Sequence, residues 1–189
     1  MRHLCALLSI IASLGGFGVA IAHETNPHQD DHASRSEALR SIRVTTGETG
    51  VVNPWSHLDF HNDPNAFQFA IVSDRTGSAR PGIFEDAVSK LNLLQPEFVM
   101  SVGDQIEGFT HDALEVNAQW DEFEGFISEL EMPFFYLAGN HDYSNPTMAE
   151  LWRKRFGRPY YSFVYRDVLF LCLNSEDSAL HHISSAQSQ

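Results

Sequence analysis

Apolar residues along this chain fall into two rhythms. Phe69 to Val72, Phe98 to Val102 and Phe134 to Ala138 are unbroken blocks of strand length. Between them the spacing changes to threes and fours. Ile83, Phe84, Ala87, Val88 and Leu91 fall on one side of a helix predicted over Gly82 to Leu94, which Pro96 ends. Val116, Trp120, Phe123, Ile127 and Leu130 form the buried stripe of a second helix, about Leu114 to Leu130. A third, near Met148 to Phe156, leads to Tyr160–Tyr165 and Val168–Leu173, a hairpin turning at Arg166-Asp167. Strands separated by helical crossovers predict an α/β fold: a mixed sheet flanked by helices, its first strands parallel.

Two stretches break the pattern. In Met1 to Ala22, Arg2 precedes the apolar run Leu4 to Ile11, and Ala20-Ile21-Ala22 has the small-x-small form of a cleavage site, so residues 1–22 read as a secretory signal. The alternative is an uncleaved anchor over Leu4 to Ile21. Cleavage implies a secreted or periplasmic protein with no membrane span. Residues 23–65 are polar and read as a linker; His23, His28, Asp30, Asp31 and His32 alternatively suit a weak metal-scavenging tail. Pro54-Trp55-Ser56-His57-Leu58 is a lead-in able to pack on the domain at 66–189.

The length of 189 residues, 43% of them hydrophobic and 20% charged, suits one domain with a real core. Loss of Cys5 with the signal would leave Cys172, inside an apolar run, as buried filler rather than a nucleophile. The formal charge of -13 repels nucleic acid and anionic lipid. It repels phosphate esters at long range too, so a metal or a local arginine must attract them at the site.

Candidate chemistry follows directly on the three apolar blocks: Ser73-Asp74-Arg75-Thr76-Gly77, Gly103-Asp104-Gln105-Ile106-Glu107 and Gly139-Asn140-His141-Asp142. Parallel strands deliver the residues past their carboxyl ends to one rim, where α/β proteins place their sites. Each Asp or Asn alone is equally a helix cap, and each glycine a turn residue. Together their oxygen donors and one imidazole suit divalent manganese, iron or zinc, and two such ions sharing a carboxylate make a centre that hydrolyses phosphate esters. The planar fork of Arg75 suits either a phosphoryl oxygen or a carboxylate such as Glu107.

At these three motifs, from about Phe67 to Ser175, the chain resembles the calcineurin-like metallophosphoesterase superfamily. The resemblance implies a four-layer sandwich, a phosphate-ester substrate and two divalent ions. It implies Asp74 as ligand of the first metal, Asp104 as the bridge and Asn140 as ligand of the second. His141 is then the acid outside the metal shell, and Asp142 the group orienting its ring. Thr76 stands where the family has a histidine, and the family's later histidine motifs would lie beyond Gln189, so the domain is expected to be incomplete at its carboxyl end. Two further readings accompany the enzyme: a non-catalytic phosphate- or metal-binding exported protein, and an inactive fragment.

Overall fold

Two short sheets stand in place of the single mixed sheet expected. The computed structural model of the chain describes residues 42–44, 52–61, 67–177 and 187; the stretch read as a secretory signal and the stretch His23 to His32, read as a linker or a metal-scavenging tail, lie outside them. The strands are β1 (Ile42–Val44), β2 (Ala70–Val72), β3 (Val99–Ser101), β4 (Phe134–Phe135), β5 (Tyr161–Tyr165) and β6 (Val168–Cys172). β2, β3 and β4 pair in parallel, with Ala70 opposite Val99 and Val99 opposite Phe134. β1, β5 and β6 form the second, antiparallel sheet, in which Tyr161 faces Cys172 and Ile42 faces Tyr165. β1 therefore lies within the stretch read as a polar linker.

Side-chain alternation explains why the hairpin stacks on the parallel sheet. Val99, Phe134, Tyr136 and Ala138 join the core on the helix side, whereas Phe98, Met100, Phe135 and Leu137 face Phe163, Tyr165 and Phe170 of the other sheet. Stacked rings fill the space between sheets: Phe135 on Phe163 at 4.4 Å and Phe163 on Phe170 at 4.7 Å between centroids. The outer edge of β4 is also taken. Pro54 and Ser56 pair with it, through Tyr136 N–H to the Pro54 carbonyl at 2.9 Å and Ser56 N–H to the Phe134 carbonyl at 2.9 Å. Cys172 is fully buried between the sheets, its thiol pushed up to about 12 by burial, which disfavours the thiolate.

The helices cover the other face. They are α1 (Ile83–Leu94), α2 (Ala113–Ile127) and α3 (Pro146–Phe156). Asp112 caps α2, its carboxylate accepting the Leu114 N–H at 2.9 Å, and Asn145 caps α3 by accepting the Met148 N–H at 3.1 Å. The predicted stripe of Val116, Trp120, Phe123 and Ile127 is buried against Trp152 and Phe156. Arg155 ties α3 to α2 through Asp121 at 2.7 Å and Glu124. Helices, parallel sheet and antiparallel sheet make three layers among the described residues; a fourth is not among them. No helix of these residues is long and apolar enough to cross a membrane.

Candidate functional site

The loops after β2, β3 and β4 meet on one rim, as parallel strands require. Asp74 N–H reaches the Gly103 carbonyl at 3.3 Å, and the Thr76 N–H and hydroxyl reach the Asp104 carbonyl at 3.3 and 3.1 Å. Between the second and third loops the backbones touch: a Cβ at Gly103 would lie 2.5 Å from the Gly139 Cα, and one at Gly139 would lie 2.3 Å from Asp104 Oδ1. Glycine at both positions is thus a requirement of approach. Asp74 and Asp104 both adopt left-handed backbone, φ 51° and 60°. Aspartate tolerates that region better than most residues, and the kink turns the chain off the strand at each donor.

Asp104 sits at the centre. Its Oδ1 accepts the His141 N–H at 3.1 Å, fixing the carboxylate against the third loop. Ser73 donates its hydroxyl to Asp74 Oδ2 at 2.5 Å, and Asn140 is half-buried beside His141. Asp142, read as the group orienting the His141 ring, meets backbone amides. Its fully buried carboxylate accepts the backbone N–H of Asp104 at 2.7 Å, Gln105 at 2.9 Å, Ile106 at 3.2 Å and Gly139 at 2.9 Å. Complete burial pushes this carboxyl up, to about 7, against the pull of those amides. It is the staple between loops two and three.

The ring of His141 is held by other groups. Its Nδ1 lies 2.7 Å from the Glu107 carbonyl, and the Phe109 ring packs edge-on at 4.5 Å between centroids. Glu107 turns its carboxylate to the first loop, 3.3 Å from the Gly77 N–H. Slight burial pushes that carboxyl up, but the amides of Gly77, Ala79 and Ser78 and the nearby His141 hold it below its usual range. Of these holders, Phe109 had no signal in the sequence beyond following the second motif.

Arg75, read as a partner of a phosphoryl oxygen or of a carboxylate, meets a carboxylate in this structure. Its Nη2 pairs with Glu122 at 2.5 Å, Nη1 donates to the Gln105 carbonyl at 3.1 Å, and the guanidinium lies 4.9 Å from the Phe126 ring centre. With the side chain 13% exposed, this fork ties the first loop to α2 and the second loop. The expected carboxylate partner was Glu107; the observed one is Glu122, far away in sequence.

The donor chemistry fits a divalent cation as a partial set. Asp74, Asp104 and Asn140 offer hard oxygens on loops held together by Thr76 and Asp142, and the Gly139 approach keeps Asp104 free of crowding. No cluster of three or more His, Cys, Asp or Glu residues able to hold a metal occurs among the described residues. His57, His61 and His111 do not join the rim through any such cluster.

Compared with known protein families, residues 57–186 match the calcineurin-like phosphoesterases. No curated protein and no solved structure matches the chain.

Proposed function

We propose, on the premise that the chain belongs to the calcineurin-like phosphoesterase family, that it hydrolyses phosphate esters at the rim formed by Asp74, Asp104, Asn140 and His141. The observation that carries the reading is the seating of the Asp104 carboxylate against the third loop, Oδ1 to His141 N–H at 3.1 Å. Asp104, Asp74 and Asn140 would hold the divalent ions, manganese, iron or zinc, with Asp104 shared if there are two. When bound, such an ion neutralises phosphoryl oxygens and acidifies water.

The chain's own residues supply the rest. With Nδ1–H directed at the Glu107 carbonyl, Nε2 is the nitrogen left to carry a proton toward the departing oxygen. Phe109 limits rotation of that ring. Thr76 and Asp142 hold the loops in register, which keeps the donors in place without reorganisation during the reaction. Export of the protein belongs to the same proposal and rests on the apolar run and cleavage pattern of residues 1–22.

The test pairs two variants with two readouts, bound metal and turnover of a generic aryl phosphate. Asp104→Asn should lower both, since the neutral side chain no longer balances cations. His141→Ala should keep the metal and slow turnover by ~10² or more. Equal loss of metal in both variants would refute the division of roles. A protein that binds metal yet turns over nothing would establish the second reading, a binding protein, which Thr76 in place of a nitrogen donor favours.

A further inference from the structure

A cavity of about 500 Å³ opens beside Asp74, between the first loop and helices α1 and α2. Val72, Ile83, Phe84 and Phe126 give it apolar walls. Its charged lining is Asp74, Glu85 and Glu122 against Arg75 and Arg80. Arg75 and Glu122 are paired with each other and Asp74 belongs to the donor rim, which leaves Glu85 and Arg80 as the remaining charges of the lining. Arg80 is exposed and forms no ion pair among the described residues.

We propose that this cavity seats the organic group of the substrate, and that this group is uncharged and ring-sized. The inference rests on the phosphoesterase reading and narrows its substrate class to small esters with one phosphate, such as aryl or nucleoside monoesters. Three features carry it. Asp74 belongs both to the donor rim and to the cavity wall, so an ester whose phosphoryl group lies at the rim directs its alcohol into the cavity. The volume lies in the range of small-molecule sites, roughly 300–1,000 Å³. The charge balance gives a second phosphate no net attraction there: with Asp74 assigned to the metal donors and Arg75 paired with Glu122, Glu85 offsets Arg80.

Binding of phosphonates, which cannot be hydrolysed, tests this separately from turnover. In manganese-loaded protein, phenylphosphonate should bind about 10-fold or more tighter than methylphosphonate, as expected for burying one ring, and tripolyphosphate should gain nothing from its extra charges. Ile83 is 53% exposed in the first turn of α1, where an acid is tolerated, so Ile83→Asp places a carboxylate on the wall without disturbing the core. That variant should erase the phenyl-to-methyl ratio while keeping the melting temperature. A ratio near one in the parent protein, a ratio unchanged by Ile83→Asp, tighter binding of tripolyphosphate, or binding of neither phosphonate would overturn the assignment. A phenyl preference without hydrolysis of any ester would leave the cavity assignment standing and remove the phosphoesterase reading.

Discussion

Gly139 and Asp142, three positions apart, hold the third loop by opposite means, one by lacking a side chain and the other by burying a charge. A methyl group at Gly139 would lie 2.3 Å from Asp104 Oδ1 and 2.7 Å from the Asp104 nitrogen, neither of which can yield without parting the loops. Gly139→Ala should therefore weaken manganese binding by ~10-fold or more and destabilise the fold by about 1–3 kcal/mol, as overpacking does; a metal titration with thermal melts checks both. Asp142→Asn separates the observed role from the expected one. An amide has one acceptor oxygen for four N–H groups and turns its own donors toward them, so roughly 3 kcal/mol of stability should be lost. If Asp142 instead merely oriented His141, the variant would melt like the parent and lose only turnover.

At the scale of elements, the β5–β6 hairpin turns on Arg166 and Asp167, both left-handed, at φ 47° and 63°. Two-residue turns of that kind favour glycine at the second position. Asp167 is exposed, so Asp167→Gly should stabilise the protein by about 0.5 kcal/mol, the left-handed penalty relieved less the chain entropy glycine costs, seen as a higher denaturant midpoint with an unchanged slope. The hairpin itself was legible in the sequence, as were all three helices, because alternation and three-four spacing report directly on burial. The pairing of sheets was not. An unbroken run such as Phe134 to Ala138 shows that both faces are covered without saying by what, and here one face meets helices and the other a second sheet. Ile42–Val44 escaped because a three-residue strand in polar surroundings has too few positions to show a period. Among the site residues, the meeting of the three motifs followed from strand direction, whereas the ties of Arg75 to Glu122 and of Asp142 to backbone amides depend on contacts distant in sequence or on main-chain atoms, which residue types do not announce.

The whole molecule carries a formal charge of -13 and is proposed to act on anions. Long-range repulsion then opposes encounter, and salt relieves it. Raising ionic strength from about 0.01 to about 0.15 M shortens the screening length from about 30 to about 8 Å, so kcat/KM for an aryl phosphate should rise severalfold; a fall would show that local positive charge governs approach instead. The buried carboxylate of Asp142 also shapes how the molecule trades its amide protons with solvent. Asp104, Gln105, Ile106 and Gly139 lie in loops outside any helix or strand, yet each N–H is bonded to that single group. Their deuterium uptake should be as slow as that of β3, and should become fast at all four together when the loops part, so that a segment with no regular secondary structure behaves as one cooperative unit.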